Sequence, residues 1–394
     1  MSETDTPRRI NPRIVPLAAL VAGHAIADGC VNFIPPLWPE FQARLDLTAT
    51  QIGILTGLFS LTTNFGQPLF GYLADRFRIS HMVALGPAIV GLFIGMMALP
   101  EHVVMLGVVY MLAGVGTAIF HPQGATLAAR VAGSRRGLGM AAFSGGGEIG
   151  YGAGALIGVL LFERFGWSGL FGATVLGGLA GGAMFAVNPG ARFPDTSTEK
   201  MSIRAHVLPH LRKVAVLFVL VSLRATSIVV FTNFIALAVR DWGESVMAGA
   251  WLISTMIVAG GIGNFVGGWA SDHVGRRKVT VISLLLCAPA FWAFLYFGLP
   301  AGYLLLPIAG LLSQSSVSVN IVQGQELMPG AQGVASSLTM GAAWGMGGLL
   351  LPIAGAAADA FGVRRMLMVV AWLPAVAGIL GLYVPERQLE EEVR

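Results

Sequence analysis

Two stretches decide how this chain is built: Gly71-Tyr72-Leu73-Ala74-Asp75-Arg76 and Gly268-Trp269-Ala270-Ser271-Asp272-His273-Val274-Gly275-Arg276-Arg277-Lys278. Each closes an apolar segment, and they lie about half the chain apart. Both run glycine, then three residues, then aspartate, then base, so a membrane-embedded unit has been duplicated. Each copy sets a carboxylate at a helix end, and the second adds three cations just beyond it. That is chemistry for locking helices together at a membrane surface; nothing in it suggests catalysis.

The composition agrees. Of 394 residues, 55% are hydrophobic and 11% charged, against about 25% charged in an ordinary soluble domain. The 53 glycines would weaken helices in water, but in a bilayer small residues let helices approach closely. The net charge of +4 comes from short basic clusters between apolar segments, without interleaved aromatics, which excludes nucleic acid as a partner. Cys30 and Cys287 lie in apolar segments without ligand spacing, so neither a disulfide framework nor a zinc motif is read from them. Residues 1–11 are polar, and no removable signal peptide is expected.

A bilayer crossing takes about 20 apolar residues, and runs of that kind fall at about 14–38, 51–74, 81–99, 103–129, 137–162, 167–188, 212–239, 246–270, 279–298, 302–326, 333–358 and 365–384. The predicted fold is all-α, with twelve transmembrane helices in two pseudo-symmetric six-helix bundles. Thr48-Ala49-Thr50-Gln51 reads as a capping box opening the second span. With the N-terminus in the cytoplasm, only Arg44, Arg164, Arg240, Arg364 and Arg365 fall outside; every other Lys and Arg except the intramembrane Arg224 falls inside. The positive-inside rule therefore predicts a multi-pass inner-membrane protein with both termini cytoplasmic. The expected division is a tail over 1–13, a first bundle over 14–188, a cytoplasmic linker over 189–211, a second bundle over 212–385 and a tail over 386–394. Weaker echoes of the duplicated stretch, Gly158 to Gly166 and Gly355 to Arg365, suggest four three-helix units with a site near the midplane.

Several intramembrane polar groups are candidates for chemistry. His24, Asp28 and Asn32 recur every fourth residue and share one helix face. Charge at membrane depth is costly and usually faces a cavity, so Asp28 is a functional candidate. Gly146, Gly150, Gly154 and Gly158 form a ladder against which another helix can press. Glu148 is rotated about 200° from that groove at 100° per residue, toward the cavity side. It is the foremost proton site, able to hold a proton when dry and exchange it when the cavity opens. His121 precedes Pro122 and is a candidate for relay or gating. The polar run from Ser313 to Glu326 contains Asn320 and Gln323, and Gln323-Gly324 mirrors Gln123-Gly124. Arg224 must meet an anion or a carbonyl cluster: either it pairs with an acid such as Asp28 or Glu148, or it grips an anionic substrate such as a phosphonate or carboxylate with its planar fork. Gln67, Asn233 and Trp344 complete the candidate lining, with Asn264 also weighed.

Taken together, these residues resemble the major facilitator superfamily over the whole chain. Within it, His24-x-x-x-Asp28, Gln67-Pro68-Leu69-x-Gly71, Phe120-His121-Pro122 and Gly145-Gly146-x-x-Gly150-x-x-x-Gly154 are similar to the fosmidomycin-resistance type of drug efflux permease. The resemblance implies a secondary transporter working by alternating access, acting as a monomer and powered by the proton gradient without a cofactor. Proton coupling would fall to Asp28, Glu148, His24 and His121. The gate would be Asp75, Arg76, Asp272, Arg276 and Arg277, bridging the halves when the cytoplasmic side closes. The chain departs from the family in three places: the first gate stretch ends Arg76-Phe77-Arg78, Tyr110 stands where many proton-linked members carry arginine, and Ala155 replaces the usual proline. The expected function is proton-coupled efflux of small organic or drug-like molecules, anionic ones among them. The alternatives are proton-coupled uptake of an organic anion and export of a metal ion or metal chelate. No Walker loop or H-E-x-x-H motif is present, which disfavours ATP coupling and an enzyme.

Overall fold

The computed structural model describes residues 13–77, 81–189, 211–328 and 332–385; side chains of 74–77, 211–213 and 332–333 lie outside that description. The expected tails and nearly all of the expected linker therefore fall outside the described residues. The regular structure is helical: α1 (Ile14–Val31), α2 (Trp38–Leu45), α3 (Ala49–Phe77), α4 (Met82–Met96), α5 (Val103–Ala132), α6 (Arg136–Phe165) and α7 (Phe171–Val187), followed by α8 (Leu211–Asp241), α9 (Val246–Val274), α10 (Arg276–Phe297), α11 (Gly302–Gln314), α12 (Val317–Leu327), α13 (Gln332–Ser337), α14 (Ala343–Leu349), α15 (Leu351–Phe361), α16 (Val363–Val370) and α17 (Leu373–Gly381). By length and composition, eight helical stretches among the described residues can cross a membrane, one of them running through α5, α6 and α7. Large apolar side chains such as Val104, Phe265 and Val369 face outward. This is a multi-pass membrane protein.

The expected spans become helices, with breaks that the hydropathy reading missed. The first span ends at Val31, and Pro35–Leu37 forms a 3-10 turn before α2, because Pro35, Pro36 and Pro39 supply no amide donor. The tenth divides at Ser315 and Ser316. The eleventh contains a π turn at Leu338–Ala342 and restarts at Leu351 with Pro352 in its first turn. The twelfth divides ahead of Pro374.

Helices α1 to α7 pack mainly on one another, as do α8 to α17. The two halves meet chiefly where α6 lies on α9 and where α3 lies on α14 and α15. Within the first half, the glycine ladder of α6 is pressed against α1: Gly146 faces Val21, Gly150 faces Ala25, Gly154 faces Gly29 and Gly158 faces Phe33. A Cβ on Gly150 or Gly154 would overlap the opposing backbone. These helices touch main chain to main chain, and that contact fixes His24, Asp28 and Glu148 relative to one another.

Bridging contacts between the halves gather at the end where α2 meets α3 and α15 meets α16. Arg240 pairs with Glu40 at 2.5 Å, and Trp38 Nε1 donates to Asn233 Oδ1 at 3.4 Å. Asp359 of α15 accepts from the backbone N–H groups of Ala49 and Thr50, each at 2.8 Å, and from the Thr50 hydroxyl at 2.5 Å. The next amide, Gln51 N–H, donates to Thr48 Oγ1 while Gln51 Oε1 accepts from Thr48 N–H, which is the capping box expected from the residues. The first three free amides of α3 are thus all satisfied, two of them by the opposite half.

Candidate functional site

Three polar groups converge inside the first half. Asp28 Oδ2 lies 3.1 Å from His24 Nε2, and its Oδ1 lies 3.2 Å from His121 Nε2. The four-residue spacing on α1 sets the first contact, and α5 brings His121 across to the second. Each histidine is held from behind: His24 Nδ1 lies 2.7 Å from the Phe143 carbonyl, and His121 Nδ1 lies 3.1 Å from the Thr117 carbonyl. A carbonyl can only accept, so both Nδ1 atoms carry hydrogen and both Nε2 atoms face the carboxylate. The His24 ring stacks on Phe143 at a centroid distance of 4.1 Å and meets His121 edge-on at 5.0 Å. The Asp28 and His121 side chains keep 20% and 25% of their exposure, so the cluster opens on one side.

Glu148 projects from α6 away from the ladder, as the helical rotation predicts, and reaches the other half. Its Oε1 accepts from Asn264 Nδ2 of α9 at 3.3 Å. Asn264 is oriented by α12: its Oδ1 accepts from Ser318 N–H at 3.0 Å, and its carbonyl accepts from the Ser318 hydroxyl at 3.1 Å. With that oxygen engaged by an amide donor, the NH2 group is the part turned to Glu148. This seam between α6 and α9 joins a titratable group of one half to a fixed amide of the other.

Arg224 of α8 is fully buried. The alternative in which it pairs with Asp28 or Glu148 is not what the structure contains, since His24 and His121 hold Asp28 and Asn264 holds Glu148. Instead Arg224 Nη1 donates to Gln314 Oε1 at 2.6 Å, the guanidinium carbon lies 5.7 Å from the Trp344 ring centroid, and Nε has no partner. The buried guanidinium thus meets a neutral acceptor and keeps one donor without a partner.

The other candidates divide. Asn233 accepts from Trp38 across the halves and also donates to the Val229 carbonyl. Gln67 and Gln123 are half-buried, and Gln123 donates to the Ile119 carbonyl of its own helix. Asn32, Asn320 and Gln323 do not line an open passage in this structure. Asn32 is fully buried and donates to the Tyr151 carbonyl at 2.6 Å; Asn320 accepts from Thr280 and Gln323 donates to the Pro385 carbonyl. These contacts lie within their own halves, and Asn32 Oδ1 and Asn320 Nδ2 remain without a partner. Among the gate residues, Asp75 and Arg76 end α3, but their side chains lie outside the described residues. Arg276 pairs with Glu326 and Arg277 donates to the Val384 carbonyl at 3.0 Å, both within the second half. Asp272, Arg276 and Ser318 line a shallow cleft there.

Sequence reasoning missed Asp359, Gln314, and the pair Glu40 and Arg240. Asp359 stands in the weak echo of the duplicated stretch and Gln314 in the polar run from Ser313, so both carried a signal. Glu40 and Arg240 carried none beyond their charge.

The Major Facilitator Superfamily model matches residues 20–352. An uncharacterised MFS-type transporter, YfnC of Bacillus subtilis, is 29% identical over 380 residues, covering 93% of this chain and 91% of its own. The fosmidomycin resistance protein of Escherichia coli is 27% identical over 383 residues, covering 94% and 93%. Among solved structures, a bacterial homologue of the human lysosomal transporter Spinster, inward-facing and unoccupied, superposes with a TM-score of 0.80 at 16% identity, over 95% of this chain and 97% of that one. The nucleoside transporter NupG gives 0.76 at 14% identity, over 95% and 99%.

Proposed function

The chain belongs to the Major Facilitator Superfamily, and from that premise we propose that it is a proton-coupled exporter of small organic anions, phosphonates or carboxylates, working by alternating access through twelve spans. The likeness to the fosmidomycin resistance protein supports the export direction and the fosmidomycin-resistance type. The observation that carries the coupling is the seam contact: Glu148 of one half meets Asn264 of the other. With the seam dry, a protonated Glu148 still accepts from Asn264 through its carbonyl oxygen, so the halves stay joined. When the seam opens, water reaches the carboxyl and the proton leaves. Arg224 supports the choice of substrate, because an incoming oxyanion would satisfy its unpartnered Nε and neutralise a charge that is costly to bury alone.

Orientation follows from the basic residues. With both termini cytoplasmic, the end closed by Asp359 and Glu40 would be the outer one, and the conformation would be the inward-facing one. In the outward-facing state Arg276 and Arg277 would exchange their present partners for the first half, with Asp75, Arg76 and Asp272. The protein would act as a monomer in the inner membrane, with the proton gradient as its energy source.

The test is dissipation of an imposed proton gradient in inside-out vesicles on adding phosphonates, carboxylates or lipophilic cations. The expected result is a leak with anions that disappears in Glu148→Gln and in Arg224→Ala. Labelled anions crossing without any proton leak would refute coupled export and leave uniport or uptake.

A further inference from the structure

The cluster of His24, Asp28 and His121 has the features of a metal site. We propose that it binds one divalent transition-metal ion of the zinc type, with His24 Nε2, the Asp28 carboxylate and His121 Nε2 as ligands and a fourth position open to the passage. The proposal goes beyond anion export and does not depend on Glu148.

Donor geometry is the first support. The three ligand atoms lie within 4.8 Å of one another, and the two nitrogen-to-oxygen separations are 3.1 and 3.2 Å. Ligands about 2.0–2.1 Å from a tetrahedral zinc are separated by roughly 3.3–3.4 Å; the two nitrogen-to-oxygen separations, each to a different oxygen of Asp28, are already close to that, and the two imidazole nitrogens have to be drawn onto one ion together with a single carboxylate oxygen. The shell behind the ligands is the second support. Metal-binding histidines commonly donate the other ring N–H to a backbone carbonyl, which fixes the tautomer; here the Phe143 and Thr117 carbonyls hold both rings in that way. With both rings neutral, the two Nε2 lone pairs and the carboxylate face one another, and a metal ion can take the place that a shared proton otherwise fills.

The donor set selects the ion. Two imidazoles and one carboxylate suit zinc and its neighbours; magnesium and calcium prefer oxygen. Three protein ligands with an open fourth position mark an exchangeable site, unlike the closed four-ligand structural kind. The partial exposure of Asp28 and His121 leaves room for that fourth ligand. It is filled either by water, with the bare ion as cargo, or by an oxygen of a small anion, with the chelate as cargo.

The experiment titrates untagged full-length protein in detergent with Zn2+ by calorimetry and with Co2+ by visible absorption. One saturable equivalent and the intense cobalt bands of four-coordination are expected. His121→Gln and Asp28→Asn should each weaken zinc by more than the roughly 10–100-fold that loss of an outer-shell partner costs, while His102→Ala on the surface and Glu148→Gln change nothing. Adding citrate separates the two cargoes: shifted cobalt bands mean an anion in the fourth position, unshifted bands mean the bare ion, and both uphold the site. No saturable binding, or binding unchanged by both ligand substitutions, overturns it. Should either variant misfold, the cobalt spectrum of the native chain still decides, since a weak six-coordinate spectrum is also a refutation. Because Glu148→Gln removes the proton leak without touching metal binding, this proposal and coupled export fail separately.

Discussion

Replacing Asp359 by alanine should open the end of the molecule that is closed here. The carboxylate accepts from the Ala49 and Thr50 amides and from the Thr50 hydroxyl, capping a helix of the first half from a position in the second. Asp359 is exposed, so the freed amides of Asp359→Ala turn to water, and the cost is that of a lost cap, about 0.5–2 kcal/mol. The positive end of the α3 dipole also loses its anion, a term of about 0.3–1 kcal/mol that solvent screens. The neighbouring pair of Arg240 and Glu40, 49% and 24% exposed, contributes about 0.2–1 kcal/mol at most, so Asp359 is the dominant latch. A loss of one to two kcal/mol raises the ratio of open to closed states at this end by about 5–30-fold. Spin labels at Glu101 and Glu244, with buried Cys30 and Cys287 replaced by alanine, would read that ratio as a second, longer distance. Asp359→Asn, which keeps an acceptor and loses the charge, should fall between. A distance distribution in Asp359→Ala identical to that of the parent refutes the latch.

Three further outcomes follow from the same geometry. Arg224→Gln should weaken binding of anionic substrate by about 10–150-fold, the equivalent of a charge-assisted hydrogen bond worth about 1.5–3 kcal/mol, and leave a neutral analogue unaffected; equal losses for both in equilibrium binding would deny Arg224 a part in charge recognition. Gly150→Leu should lower the melting temperature of the solubilised protein through overpacking worth about 1–3 kcal/mol or more, because the opposing atoms are the Ala25 backbone. Gly178→Leu, with open space around it, is the control, and equal melting of the two would show that the ladder is not under close contact. Asp272→Asn should shift the spin-label populations toward the cytoplasm-open state, and unchanged populations would remove it from the gate.

Local patterns were legible in the residues and long-range meetings were not. The opening of α3 at Thr48 to Gln51, the stacking of His24 over Asp28 and the direction of Glu148 all follow from helical periodicity, and the structure contains them. The arrival of His121 at the far oxygen of Asp28 depends on how α5 crosses α1, which no spacing encodes. The partner of Arg224 is Gln314, 90 positions away; the residues left an acid, a substrate anion and a carbonyl group open, because hydropathy does not say which side chain of another helix a buried cation meets. Asn32 and Asn320 looked like lining because they are polar, yet packing turned both toward other helices. The breaks in the tenth to twelfth spans escaped notice for a similar reason: serine, glycine and proline are tolerated along an apolar run, and tertiary contacts decide which of them interrupt it.

The contact between α1 and α6 has a mechanical consequence. With main chain lying on main chain over Gly146, Gly150, Gly154 and Gly158, the two helices cannot slide or roll past each other without collision, so they move as a single beam. His24 and Asp28 ride on one edge of that beam and Glu148 on the other. Any rocking of the halves would therefore be taken up outside the beam, at the α6 and α9 boundary where Glu148 meets Asn264 and where α3 lies on α14 and α15, and the two polar stations on the beam would keep their separation.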